Sequence, residues 1–178
     1  MKIHTVIVGS LEENCYILEK ENKVLVIDPG DEIEKIKKVI GSKEVIGVLI
    51  THNHFDHVGA LSYFNKENIY SFNNLEEKEY IIDSFKFDVI FTPGHSIDSV
   101  SYYFKEENLL FGGDFIFHLS IGRCDLPGGD YNKMLNSIRK IKKYPDNMII
   151  YPGHGIPTTL KNEIENNIYF KEVQLWKK

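Results

Sequence analysis

Hydrophobic and polar positions along the chain predict short strands first. Asn14 to Leu18 and Val24 to Ile27 are β-prone runs, and Asp28-Pro29-Gly30 stops the second. Asp31 with Glu34 three residues on has the form of a capping box. A helix is therefore predicted from there, with Ile33, Ile36 and Ile40 on one face and Gly41 at its end. Val45 to Ile50 is a near-continuous apolar run, the pattern of a strand buried on both faces. The polar segment Thr51-His52-Asn53-His54-Phe55-Asp56-His57 follows it directly, and a helix-like stretch is predicted from there to about Lys66.

The same punctuation recurs. Phe87 to Phe91 reads as a strand that delivers Thr92-Pro93-Gly94-His95, and a hairpin of Ser101 to Phe104 and Asn108 to Phe111 ends at Gly112-Gly113-Asp114. Asp130 to Lys143 is an amphipathic helix with Met134, Ile138 and Ile141 inward. Met148 to Tyr151 is a buried strand delivering Pro152-Gly153-His154-Gly155, and the tail from Glu163 is predicted helical. Four times, then, an apolar strand ends in a turn that carries His or Asp. Strand ends are rigid, and their loops present side chains at one edge of a sheet, so four such loops can converge on one site.

Composition narrows the functional classes. The 178 residues, 42% hydrophobic and 26% charged, are expected to form one domain spanning 1–178. The net charge is −5, and no basic block exceeds the pairs Lys142-Lys143 and Lys177-Lys178, so a small-molecule substrate is expected rather than nucleic acid. No stretch approaches the ~20 apolar residues that span a membrane. The start has only a four-residue apolar run, too short for a signal-peptide core, and two cysteines make no secreted disulfide framework. A cytoplasmic enzyme is expected.

The chemistry is concentrated in His52, His54, Asp56 and His57. In a turn after a strand, alternate residues point the same way, so His52 and His54 can grip one metal while Asp56 and His57 face a second. Imidazole and carboxylate donors suit zinc, iron or manganese, and no cysteine lies in the motif to close a structural thiolate site. His95 and His154 each follow a strand and a Pro-Gly pair, and Asp114 supplies a further carboxylate. Seven donors are enough for three per ion plus one bridge, with two ions roughly 3.5–4 Å apart. His4 and His118 read as surface or packing residues, and Cys15 and Cys124 as small buried groups. Asp28 reads either as an Asx-turn residue or as a hydrogen-bond partner of a ligand-bearing loop. Arg123 reads as a salt-bridge partner of Asp125 or Asp130, or as a contact for an anionic part of the substrate.

These segments, in this order, resemble the metallo-β-lactamase superfamily. Asn14-Cys15-Tyr16, Asp28-Pro29-Gly30, the run Gly122 to Asp130, and Thr158-Thr159 with Glu163 and Asn166 most resemble its short glyoxalase II-like (hydroxyacylglutathione hydrolase-like) members. The resemblance implies an α/β fold, a four-layer αββα sandwich. It implies two divalent metal ions, zinc first with iron or manganese as alternatives. His52, His54 and His95 would hold one, Asp56, His57 and His154 the other, and Asp114 would bridge them. The implied reaction is hydrolysis of a small thioester, S-lactoylglutathione or another acylated thiol, by a metal-bridging hydroxide. Asp56 would act as the catalytic group that orients it and takes its proton. Two rivals belong to the same superfamily: a persulfide dioxygenase using one iron on His52, His95 and Asp114, and a lactonase.

Three departures from the family pattern stand out. Asp98 replaces a Gly of the frequent Thr-Pro-Gly-His-Thr-x-Gly-Ser motif. No C-terminal helical domain of the kind that binds glutathione is expected after the last motif, so glutathione specificity is not carried over. His54 stands where the related flavo-diiron proteins have Glu, which argues against that redox branch.

Overall fold

A computed structural model describes residues 1–175. Strands β1 (Lys2–Val8), β2 (Glu13–Lys20) and β3 (Lys23–Ile27) are followed by α1 (Ile33–Ile40), β4 (Glu44–Leu49), α2 (Phe55–Val58) and β5 (Ile69–Tyr70). Then come β6 (Glu79–Ile82), β7 (Phe85–Phe91), β8 (Val100–Phe104), β9 (Leu109–Gly113), β10 (Ile116–Phe117) and β11 (Ser120–Ile121). Helix α3 (Tyr131–Ile141), β12 (Ile149–Pro152), β13 (Thr158–Thr159), α4 (Leu160–Asn166) and α5 (Ile168–Leu175) complete the order.

Two sheets face each other, one ordered β1-β2-β3-β4-β5 and the other β13-β12-β9-β8-β7-β6. Alternation along each strand sends every second side chain into the space between them. Tyr16, Leu18, Leu25, Ile27 and Leu49 from the first sheet meet Phe85, Phe87, Tyr102, Phe104 and Phe111 from the second. The intervening residues face outward and are covered by helices. Ile36 and Ile40 of α1 pack on Val24, Val26 and Val48, while Met134, Ile138 and Ile141 of α3 and Phe170 of α5 pack on Leu110 and Ile150. The result is the expected four-layer αββα sandwich. No helix among the described residues is long and apolar enough to cross a membrane.

Topology brings the functional loops to one edge. Strands β3 and β4 are parallel, as are β9 and β12, and β7 reaches the same direction through two antiparallel pairings. Their C-terminal ends therefore share one rim of each sheet. The backbone N–H of Val100, opening β8, donates to the Thr51 carbonyl at 2.7 Å and ties the two rims together.

Two local expectations are corrected. Asp31 does not cap α1: its carboxylate accepts from the neighbouring Glu32 N–H at 2.6 Å, Glu32 takes a left-handed φ of 44°, and the helix starts at Ile33 without a side-chain cap. The end at Gly41 is as expected, with φ 62° and its N–H on the Lys37 carbonyl. The helix after the His-rich motif is one turn rather than a run to Lys66. The Ala60 N–H is taken by the Pro29 carbonyl at 3.0 Å, so the ladder stops and only 3₁₀ turns follow.

Candidate metal centre

The short α2 and the turns after β4, β7, β9 and β12 bring all seven predicted donors together. Ligand atoms of His52, His54 and His95 lie within 4.8 Å of one another, as do those of Asp56, His57 and His154, and those of His52, His57 and Asp114. Asp114 lies between the first two sets. Its Oδ2 is 3.5 Å from His95 Nε2, and its Oδ1 is 3.3 Å from His57 Nε2 and 3.6 Å from His154 Nε2. Asp56 Oδ2 is 3.3 Å from His154 Nε2 and 3.8 Å from His57 Nε2.

Four imidazoles are oriented from behind. His57 Nδ1–H donates to Asp28 at 2.9 Å, His95 Nδ1–H to the Arg123 carbonyl at 2.8 Å, and His154 Nδ1–H to the Leu11 carbonyl at 3.0 Å. His52 Nδ1–H donates to Thr51 Oγ1 at 3.1 Å, and that hydroxyl donates to Asp28 at 2.6 Å. Each bond fixes the tautomer that leaves Nε2 unprotonated and facing the centre. His54 is turned the other way, with Nδ1 inward and 2.9 Å from His95 Nε2.

The donor set fits metal ions. His52 Nε2, His57 Nε2 and Asp114 Oδ1 are buried with no hydrogen-bond partner. Leaving such atoms unsatisfied costs about 1–3 kcal/mol each, and two divalent cations sharing Asp114 would satisfy all three. Electrostatics agree with that placement at His52 and Asp114. At His57 burial is outweighed by Asp114 and Asp28, which raise the imidazole, so an ion there would displace a proton. Burial, then the adjacent His57, holds the His52 imidazole well below the ordinary histidine range, so it is neutral as a ligand must be. Burial alone would raise the Asp114 carboxyl, but His57, His52 and His154 outweigh it and hold the group well below the usual carboxylate range.

Packing at the centre is close enough to require glycine. A Cβ on Gly153 would lie 2.3 Å from Asp114 Oδ1 and 2.7 Å from His57 Cε1. Gly113 has φ 53°, and a Cβ there would lie 2.2 Å from Thr51 Oγ1.

Asp28 takes the second of its two readings: buried, it accepts from the Thr51 N–H and hydroxyl as well as from His57. Arg123 is paired bidentately with Asp125 at 2.8 and 2.7 Å, while Asp130 caps α3 instead. His4 bonds Glu19, His118 is exposed, Cys15 is fully buried and Cys124 half-buried. Asp98, in the family's Gly position, accepts from Asn53 N–H and Nδ2 at 3.2 and 2.6 Å, tying the His52–His54 turn to the His95 turn.

Sequence reasoning missed one support, Glu13, and left Asn14, Tyr16 and Glu163 as motif residues without a role. Glu13 is wholly buried beside Asp28 and His57, and neither of its oxygens has a hydrogen-bond partner. Burial, then Asp28, pushes its carboxyl up to about 10. Asn14 Nδ2 donates to the Pro152 and Gly155 carbonyls and Tyr16 to Pro152, so β2 clamps the turn that carries His154. Glu163 accepts from the Leu119 N–H, Thr158, Asn162 and Asn167, anchoring the β10–β11 turn to α4. The only signal for Glu13 lay in the motif that follows it, Asn14-Cys15-Tyr16.

Above the donors opens a cleft of about 630 Å³, lined by Leu11, Phe55, Phe117, Ile121 and Leu126 with Ser120 and Arg123.

Known proteins give the same picture. The sequence profile of the metallo-beta-lactamase superfamily matches residues 8–71 and 71–154. The chain is 31% identical to the probable metallo-hydrolase YqgX of Bacillus subtilis, over 98% of this chain and 100% of that protein. It is 29% identical to the hydroxyacylglutathione hydrolase GloC of Haemophilus influenzae, over 94% and 97%. Two solved structures are each 31% identical to it. The BLEG-1 B3 metallo-beta-lactamase superposes with a TM-score of 0.88 over 95% of this chain and 99% of that one. TTHA1623 in a di-iron-bound form does so with 0.83 over 92% and 98%.

Proposed function

The chain belongs to the metallo-beta-lactamase superfamily of metal-dependent hydrolases, and from that premise we propose that it hydrolyses small acyl thioesters at a two-metal site. One observation carries the two-metal reading: Asp114 turns one carboxylate oxygen toward each of two complete donor triads. His52, His54 and His95 would hold one ion, Asp56, His57 and His154 the other, with Asp114 shared. A single-iron persulfide dioxygenase would leave the second triad without a role. The di-iron form of TTHA1623 supports the count of two, and the likeness to a hydroxyacylglutathione hydrolase supports a thioester substrate.

Two divalent ions there would supply Lewis acidity toward a carbonyl oxygen and lower the pKa of water at neutral pH. The chain's own residues do the rest. Asp56 has a carboxylate that reaches the cleft, its side chain 14% exposed, and it is the group placed to take a proton from an attacking water. His57, His95 and His154 are locked from behind, so the donors keep their places as charge develops. A departing thiolate has a pKa near ~8.5 and needs no strong acid, and among the described residues the cleft lining holds no Lys, Tyr or Cys to act as one.

The test is hydrolysis of a thioester panel by metal-replete protein, read as thiol release, with a lactone, a cephalosporin and a glutathione persulfide alongside. Thioesters are expected to give the highest kcat/KM. Preferential lactone or cephalosporin turnover, or oxygen uptake with the persulfide, would replace this reading.

A further inference from the structure

The walls of the cleft say more about the substrate than the donors do. Phe55 opens α2 directly beside Asp56 and is 74% exposed, and Leu11, whose carbonyl holds His154, is 51% exposed. Phe117 stands with its ring centroid 6.1 Å from that of His154. These three residues surround the Asp56–His154 end of the cleft, and Ile121 and Leu126 extend the apolar lining. Single exposed apolar residues are ordinary on a protein surface, but several converging on one cleft beside a reactive centre mark a place that apolar matter covers. The polar side of the lining is sparse. Arg123 is the one permanent cation among the described lining residues, and both of its side-chain hydrogen bonds go to Asp125. Its charge is thus already balanced by a neighbouring carboxylate, and the described lining offers no second permanent cation for a substrate carboxylate.

We infer that the substrate presents an apolar group of several carbons to Leu11, Phe55 and Phe117, and that no anionic handle on its thiol carrier is required. This rests on the thioesterase reading and narrows it. A lactoyl group on a carboxylate-bearing tripeptide places a hydroxyl and charges where the lining offers carbon. An alkyl acyl group, or an alkyl thiol, matches it. Phe117 and Ile121 belong to the β10–β11 hairpin, which pairs Ile116 with Ile121 and Phe117 with Ser120 and so gives this wall a backbone support.

The experiment uses metal-replete protein and four thioesters of the uncharged carrier N-acetylcysteamine, from acetyl to octanoyl, with S-lactoylglutathione as the polar, anionic comparison. A second series keeps the acetyl group and lengthens an alkyl thiol. The expected result is a rise in kcat/KM of roughly 2–4-fold per added CH₂ in at least one series, until the cleft is filled. The hexanoyl ester should exceed S-lactoylglutathione by at least about tenfold. Replacing Phe55→Ser or Leu11→Ser, both exposed and outside the core, should flatten the chain-length dependence. Kd values for a non-cleavable S-alkyl thioether series should follow the same order without turnover. Thioester hydrolysis with no chain-length gain in either series, or with S-lactoylglutathione preferred, would overturn this inference and leave the thioesterase reading standing. No thioester hydrolysis at all would overturn both.

Discussion

Asp28 accepts a hydrogen bond from His57 at 2.9 Å, with both side chains sealed from solvent. The contact joins the turn after β3 to the helix that carries two of the donors, and the same carboxylate holds Thr51 by its N–H and its hydroxyl. Thr51 in turn supports His52. One carboxylate thus orients an imidazole in each half of the centre. Asp28→Ala should lower metal affinity by roughly 10–100-fold, because it frees two rings and leaves buried donors unpaired. Competition against a chelator, read by elemental mass spectrometry, measures it. Metal content and affinity equal to the parent would remove Asp28 from this role.

Gly153 offers a steric test of the same centre. A methyl group there would sit 2.3 Å from Asp114 Oδ1, well inside contact distance, and the rigid turn leaves it nowhere to go. Gly153→Ala should displace the shared carboxylate and cut bound metal below one equivalent per chain, with circular dichroism close to that of the parent. A variant that keeps both its metal and its activity would show that Asp114 does not need its present position.

Glu163 lies outside the donor set yet holds the apolar wall. It is fully buried and accepts from Leu119, Thr158, Asn162 and Asn167. Leu119 sits at φ 59° in the turn between Phe117 and Ser120, which both line the cleft. Glu163→Gln exchanges one acceptor oxygen for a donor that then faces other donors. Stability should fall by roughly 1–3 kcal/mol, and KM for the preferred thioester should rise several-fold while kcat changes little. Equal losses in kcat and kcat/KM would instead place Glu163 in support of the metal centre.

Much of this arrangement was legible in the chain. Strand ends are marked by abrupt changes from apolar to polar residues, so His52, His95, Asp114 and His154 announced themselves by what precedes them. Helix α3 was readable because Met134, Ile138 and Ile141 keep helical spacing behind a capping Asp130. The rest depended on contacts between distant segments. Strands β5, β10, β11 and β13 are two residues each, and no local pattern distinguishes them from turns. Helix α2 stops because Pro29, thirty-one positions before Ala60, takes its N–H. No local pattern marks Glu13 as buried, and only the stacking of β2 beneath the donor turns buries it.

That burial sets the last prediction. Glu13 has no exposed surface and no hydrogen-bond partner for either oxygen, so ionising it inside the fold is unfavourable and its carboxyl is pushed up to about 10. In an unfolded chain the same group ionises near ~4.3. Between these values the folded metal-free protein holds a proton that the unfolded chain releases. The Glu13 contribution to stability is therefore intact below the unfolded value and is lost as pH rises toward about 10. Gln has nearly the same shape and never ionises. Glu13→Gln should therefore raise the Tm of metal-stripped protein at pH 7.5 by several degrees, and the gap from the parent should widen from pH 6 to pH 9. Calorimetric scans of both proteins across that range make the comparison, because their difference cancels the titration of groups the two share. Parallel Tm curves would mean that Glu13 is ionised in the fold, paired with the His57 ring whose Nδ1 lies 3.9 Å from its Oε1.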